Sequence, residues 1–304
     1  MSDATSANPI LALSRHVERL ADAAAGAVVA VQSHGRPVAS GFAWRPDAIV
    51  TASDALEHED ALAVIDASGK AQAAKFAGRD PTTDLAVLRL DSALEAPPLA
   101  PSQGVRVGSM VLALGRGSEG VIASLGMVSV AGGAWQSRRG GRIDSLLRLD
   151  ARLDPRAEGG IVVDAEGRLL GMPVFGPRRR ALVIPLATID RIAPRLLADG
   201  RIQRGYLGVG LHPIRLDEAL AAVHALPERR ASMVVNLDPD GPARKAGVLI
   251  GDVIVALDGQ PVPGVRGLRS LLGPESVGKS AELKMLRAGQ LATARVTIGA
   301  SPVT

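Results

Sequence analysis

From Ala27 to Leu90 the chain is a succession of short runs rich in Ala, Val, Ile and Leu, set off by turn residues: AVVAVQS, PVASGFAW, AIVTAS, ALAVIDASG, AQAAKFAGRD and LAVLRL. Each run is strand-sized, and the spacing predicts an antiparallel barrel or sandwich. A Pro-rich connection, DSALEAPPLAPSQG, leads to a second set: SMVLALG, GVIASLGMVSV, SLLRLD, GGIVVDAEGRLLGMPVF and ALVIPL. Ser68-Gly69 and Glu166-Gly167 read as hairpin turns. Internal glycines and short strands favour barrels over a doubly wound sheet.

Helices frame this β region. Asn8-Pro9 is a start signal, with Asn as cap and Pro at the first helical position. Leu13, Val17, Leu20 and Ala24 then recur at helical spacing, which predicts a helix over about 9–24. ATIDRIAPRLLADG reads as a short helix closed by Gly200. After RIQRG the texture changes. YLGVGLHPI is a strand, DEALAAVHAL is helical, and ASMVVNLDPDG is a strand entering a turn. PARKAG is one helical turn, and GDVIVALDGQPV is a strand with a tight Asp258-Gly259 turn. VRGLRSLLG is a helix, and AELKML and ATARVTI close a hairpin. The expected division is an N-terminal segment and helix over 1–24, a first β-barrel over 25–98, a second over 99–200, and a compact α+β module over 202–300.

Composition excludes several chemistries. With no cysteine there is no disulfide, thiol nucleophile, iron–sulfur cluster or Cys-ligated zinc. Three Phe, two Trp and one Tyr leave few rings for stacking bases, and 35 basic against 31 acidic residues is too balanced for an electrostatic DNA binder. No nucleic-acid partner is expected. The charge is uneven, however. Residues 47–95 carry 10 acidic and 4 basic residues, whereas 137–205 carry 14 basic and 8 acidic, so two surfaces of opposite sign are expected to attract. The five histidines, His16, His34, His58, His212 and His224, include no H-x-x-x-H pair, which removes the helical zinc-protease pattern. The N-terminus lacks a basic segment before its apolar residues, and AAAGAVVAV is too short to span a bilayer. A cytoplasmic protein with no membrane partner is expected, or a periplasmic one if the N-terminus is incomplete.

Three segments together carry a family resemblance. GFAW…AIVTASDAL, DPTTDLAVLRL and LDARLDPRAEGGIVVDAEGRLLGM resemble the three catalytic-motif regions of the HtrA/DegP family, trypsin-fold serine proteases followed by PDZ domains. RGYLGVGLHP and DPDGPARKAGVLIGDVIVALDGQPV resemble an HtrA-type PDZ domain. The resemblance covers about residues 10–300. It implies a mainly β fold: a trypsin-like double β-barrel, then an α+β PDZ domain.

The family triad runs His, Asp, Ser in chain order. The family's His string is matched here by Val50-Thr51-Ala52-Ser53-Asp54-Ala55, which puts Asp54 at the His position. The Asp is kept as Asp84 in TTDLAVL. The Ser string is matched by Asp154-Pro155-Arg156-Ala157-Glu158-Gly159-Gly160, which puts Glu158 at the Ser position and Arg156 at the flexible glycine of the oxyanion loop. The spacings of 30 (54 to 84) and 74 (84 to 158) suit the family. A carboxylate is a poor nucleophile toward an amide, and an Asp with a reference pKa of about 3.9 is a weak base at neutral pH. Losing triad members costs on the order of 10⁴–10⁶ in rate. His58, four residues after Asp54, reads as a surface helix residue. Three like charges in one cleft cannot all ionise uncompensated. Three outcomes are open: Arg156 or Arg152 pairs with them, one carboxyl keeps its proton, or a cation binds through oxygen ligands.

By the same resemblance, Tyr206, Leu207, Gly208 and Val209 match a carboxylate-binding loop whose backbone N–H groups hold a peptide C-terminus. Val265, Leu268 and Leu272, on the flanking helix, are pocket candidates. The expected function is an HtrA-like pseudoprotease, proteolytically inactive, binding peptides or protein C-termini through its PDZ domain. The alternative is an active serine endopeptidase of protein quality control. No cofactor and no metal are called for. A homo-oligomer, or a subunit beside a paralogous protease, is a further expectation.

Overall fold

The computed structural model describes residues 8–227 and 229–301. It divides into two compact units, one ending at Ile202 and one starting at Gln203.

The first unit opens with α1 (Pro9–Ala25), started by the Asn8 side chain, which accepts the Ile10 N–H at 3.0 Å. Val17, Leu20 and Ala21 pack on the core and Ala24 is buried. The first turn does not follow: Leu13, expected on the packed face, is 40% exposed. Six strands then close a barrel: β1 (Val28–Ser33), β2 (Arg36–Arg45), β3 (Ala48–Ala52), β4 (Leu62–Ile65), β5 (Ala71–Asp80) and β6 (Leu85–Leu90), in the order β1-β2-β3-β6-β5-β4. The second barrel uses β7 (Met110–Gly117) and β8 (Gly120–Gly132). A small hairpin, β9 (Trp135–Gln136) and β10 (Arg142–Ile143), interrupts the chain before β11 (Leu146–Asp150), β12 (Ile161–Asp164), β13 (Leu169–Phe175) and β14 (Ala181–Pro185). The barrel order is β11-β14-β13-β12-β7-β8.

Why the strands lack a clean apolar–polar alternation is clear from where each face goes. In β1, β3 and β6 one set of residues, including Val29, Val31, Ile49 and Leu88, fills the barrel interior. The alternate set, Val28, Val50, Leu85 and Val87, meets Leu112, Leu114, Ile161 and Val163 of the second barrel in a shared core. Strands buried on both faces must be apolar on both. Full burial of one Val or Leu contributes about 1.5–3 kcal/mol, so this seam is a principal source of the unit's stability. The helix α2 (Leu186–Asp199) packs across both barrels and ends at Gly200, whose φ of 72° lets its N–H reach Leu196 O. Trp44 Nε1 donates to Asp190 on this helix at 2.7 Å.

The second unit contains β15 (Gly205–Tyr206), β16 (Val209–Arg215), α3 (Glu218–Val223), β17 (Arg230–Leu237), α4 (Pro242–Lys245), β18 (Val253–Leu257), β19 (Gln260–Pro261), α5 (Val265–Leu271), β20 (Ser280–Arg287), β21 (Gln290–Thr297) and β22 (Gly299–Ala300). Its main sheet runs β16-β17-β18-β20-β21, so β16 is an edge strand. Asp258 (φ 47°) and Gly259 (φ 72°) form the tight turn between β18 and β19. Two consecutive positive φ values match a two-residue hairpin of the I′ kind. Among the described residues no helix is long and apolar enough to cross a membrane.

Candidate active site and peptide groove

Asp84 sits in the turn between β5 and β6 with φ 59°, a left-handed conformation that Asp tolerates better than most residues. Its Oδ1 accepts the Asp54 N–H at 2.8 Å, and its carbonyl accepts the Ser53 N–H at 3.3 Å. Burial pushes the Asp84 carboxyl up, to about 7. The Asp54 N–H opposes this, the charges of Asp54 and Glu158 add to it, and the Arg139 guanidinium opposes it. Glu158, half-buried, lies beyond a short 3-10 turn, Pro155–Ala157. Its Oε1 accepts the Phe175 N–H at 2.9 Å. Burial raises the Glu158 carboxyl as well, that N–H opposes the shift, Asp54 adds to it, and Arg179 opposes it. The structure thus brings Asp54, Asp84 and Glu158 into one electrostatic neighbourhood.

The loop that carries Glu158 is tied to the first barrel. Ser40 N donates to Glu158 O at 2.9 Å, Ser40 Oγ donates to Arg156 O at 2.5 Å, and Thr51 Oγ1 donates to Ser40 O at 2.6 Å. Gly159 takes φ 84°, and a Cβ there would strike Ser40 O and Thr51 Oγ1, so no other residue fits this crossing without movement. Within the loop, the Arg156 N–H donates to Asp154 Oδ1 at 2.9 Å and the Glu158 N–H to Pro155 O at 3.3 Å. Both backbone donors therefore have partners inside the loop. An oxyanion hole needs such donors aimed outward.

Of the outcomes left open, pairing of the acids with Arg156 does not form. Arg156 turns to Asp154 (Nη2–Oδ2, 3.0 Å) and Glu119 (Nη1–Oε2, 2.8 Å) instead, because those carboxylates lie beside its own loop. Arg139, from the loop between β9 and β10, reaches across instead. Its Nη1 donates to Asp54 Oδ1 at 2.6 Å and to Pro81 O at 3.1 Å. Ser137 Oγ on the same loop donates to Thr82 O at 2.5 Å. The hairpin therefore straps the second barrel over the Asp80–Asp84 turn of the first. The sequence reading missed Arg139. Its only signal was the opposite charge of the 47–95 and 137–205 segments, and the pair joins one residue from each.

The histidines are engaged elsewhere. His16 Nε2 lies 2.7 Å from Ala165 O, His34 pairs with Asp60 at 3.2 Å, and His58 meets the His34 ring edge-on at 5.5 Å between centroids. His58 lies in the chain between β3 and β4, not on a helix as expected, since Ala52 ends β3 and no helical turn follows. His212 is on β16, and His224 Nε2 lies 2.8 Å from Gly289 O. Among the described residues no group of three or more His, Cys, Asp or Glu is arranged to hold a metal ion.

In the second unit the loop Tyr206–Val209 is held from behind. Ala243 N donates to Leu207 O and Asp238 N to Gly208 O, both at 2.8 Å. A trans peptide points its N–H opposite to its C=O. The N–H groups of Gly208 and Val209 therefore face away from those partners. Tyr206 Oη donates to Asp238 at 3.0 Å, and Gly208 adopts φ 74°, where a Cβ would meet Gly241 Cα at 2.9 Å. The helix α5 packs against β16. Leu207, Leu268 and Leu272 are buried in one cluster, with Val209 and Leu211 packed against it, while Val265 is half-buried.

A trypsin-like peptidase domain model matches residues 39–172, and a PDZ domain model matches 205–298. The chain is 33% identical over 283 residues to "Probable periplasmic serine endoprotease DegP-like" of Brucella suis biovar 1 (strain 1330), covering 88% of this chain and 54% of that protein. A protein of the same name from Halomonas elongata is 30% identical, at 88% and 57% coverage. The chain spans about half the length of the curated relatives it matches. Two solved structures share the fold. "HtrA-type protease AlgW with decapeptide" has a TM-score of 0.75 at 24% identity, covering 95% of this chain and 99% of that one. "Crystal structure of the serine endoprotease from Yersinia pestis" has a TM-score of 0.74 at 25% identity, covering 94% and 98%. These relatives correct the cytoplasmic expectation. They are named periplasmic and point to the periplasm; the composition of the first residues carries no weight against that.

Proposed function

The chain belongs to the HtrA/DegP-like family, a trypsin-like peptidase fold followed by a PDZ domain, and on that premise we propose that it is a periplasmic peptide-binding protein with a silenced peptidase cleft. The observation that carries the reading is the set Asp54, Asp84 and Glu158. Acyl transfer needs a hydroxyl or thiol nucleophile, a base poised near neutral pH and outward-facing N–H donors. Asp54 and Glu158 supply neither nucleophile nor imidazole, and Arg139 holds Asp54 in an ion pair. The engaged N–H groups of Arg156 and Glu158 support the same reading. The PDZ module takes peptide or protein C-termini, with the loop Tyr206–Val209 as carboxylate site and Val265, Leu268 and Leu272 beside the last side chain. Assembly with itself or with a paralogous protease belongs to this proposal, and sedimentation of the purified chain alone and with such a protease tests it.

A second reading, an active serine endoprotease, is favoured by the names of the Brucella and Halomonas relatives, both called serine endoproteases. A fluorophosphonate probe separates the two. The purified chain is expected to remain unlabelled while a trypsin control labels fully. Stoichiometric labelling that heat denaturation abolishes would establish the second reading.

A further inference from the structure

The open edge of β16 has a defect at Pro213. In β17, Val234 bonds away from β16: its N–H donates to Asp252 O and its C=O accepts from Gly251 N, both at 2.8 Å. Leu211 lies opposite Val234, and Pro213 lies opposite Ser232, two residues along the same regular register. Neither pair can therefore exchange backbone hydrogen bonds, and the backbone polar groups of Leu211 and Pro213 face the open edge. The end of the strand agrees: the Leu216 N–H turns inward to Arg229 O at 2.7 Å, so the odd-numbered positions before it turn outward. The register shift between Gly210 and Leu211 adds its extra residue on β17, which leaves the alternation along β16 intact. Val209 and Leu211 each present an N–H and a C=O to the groove beside α5. Pro213 presents a C=O only, because proline has no N–H.

We infer that Pro213 limits the length of ligand this groove holds, so that it reads the last three residues of a peptide and little beyond. The inference rests on the PDZ peptide-binding proposal. An extended chain whose C-terminal carboxylate lies on the Gly208 and Val209 N–H groups adds antiparallel to β16. Its last residue then lies opposite Val209 and its third-from-last opposite Leu211, with which it exchanges two hydrogen bonds. The fifth-from-last falls opposite Pro213, where its carbonyl finds no donor. The ligand class is a short free C-terminus with an apolar last side chain, matched to Leu207, Leu268 and Leu272.

The test is a length series on the full chain, by fluorescence anisotropy or calorimetry. Peptides of three, five and ten residues share one apolar C-terminal sequence, and a ten-residue peptide with an amidated C-terminus serves as control. The expected result is that three- and ten-residue peptides bind the natural chain within about twofold of each other, and that the amidated peptide does not bind. In Pro213→Ala the three-residue affinity is expected to stay unchanged, which certifies a folded groove. The ten-residue peptide should gain about three- to tenfold, the effect of one added backbone hydrogen bond. A natural chain whose affinity climbs tenfold from three to ten residues, or a Pro213→Ala chain with no length dependence, overturns the role of Pro213 and leaves peptide binding standing. Absence of binding by every peptide overturns the PDZ proposal itself.

Discussion

The backbone N–H of Asp54 donates to the carboxylate of Asp84 at 2.8 Å, so two acidic residues 30 positions apart are joined through a main-chain donor rather than through a base. That bond holds one Asp84 oxygen in place but offsets only part of the burial and like-charge repulsion that raise the group to about 7 from 3.8. A carboxyl raised in the folded state stabilises the fold fully below its unfolded pKa and loses that contribution as pH rises through its folded pKa. The window runs from about 4 to 7. Asp84→Asn keeps an acceptor for the Asp54 N–H and removes the titration. The variant is expected to be more stable than the natural chain at pH 8 by about 1–2 kcal/mol, with the difference shrinking toward pH 4. Urea unfolding across that range measures it.

Arg139→Ala removes the cation that faces both Asp54 and Asp84. Both partners of the Asp54 pair are about half exposed, so the stability cost is expected to be small, about 0–1 kcal/mol. The Asp84 titration should move to higher pH, because Arg139 is the charge that opposes its rise. Carboxyl carbon shifts followed by NMR report the titration and urea unfolding the stability, and an unmoved Asp84 titration would refute the electrostatic role.

Restoring the family's residues tests what the cleft still retains. Asp54→His with Glu158→Ser supplies a base and a hydroxyl, but the Arg156 N–H remains tied to Asp154. This double variant is expected to react with a fluorophosphonate at least tenfold more slowly than the triple variant that adds Arg156→Gly, which frees the loop to present its donors. Equal rates would mean that the loop is not the obstacle.

In the second unit Asp252 is 1% exposed. It accepts from Arg287 Nε at 2.8 Å and Nη2 at 2.7 Å, and from the Leu249 N–H at 2.7 Å. Burial works to raise its carboxyl, yet the hydrogen bonds and the guanidinium charge outweigh burial and hold it low. A depressed carboxyl stabilises the fold above its unfolded pKa and loses that contribution as pH falls through its folded pKa. Arg287→Ala leaves the carboxylate buried without its counter-ion and is expected to lower the stability of the fold. The loss should be largest near neutral pH and smaller in acid, as calorimetric unfolding of the variant and the natural chain across that range would show.

The strand runs, the Asn8 cap, the Gly200 stop and the Asp258-Gly259 turn were all legible in the sequence, because each depends on interactions within a few residues. The trypsin-like and PDZ architecture was legible too, through motifs that local spacing preserves. Three things depended on the tertiary structure. Arg139 rather than Arg156 meets Asp54, since 85 residues separate the two and only the β9–β10 hairpin brings them together. The inward N–H groups at Arg156 and Glu158 follow from a loop pinned by Ser40, a residue more than 100 positions earlier in the chain. The outward face of Pro213 follows from strand register, which Val234 sets from a neighbouring strand. A sequence fixes what each residue can donate, accept or bury. Direction and partner are set by closing the barrels and pairing the strands, where long-range geometry decides which of several chemically adequate groups arrives first.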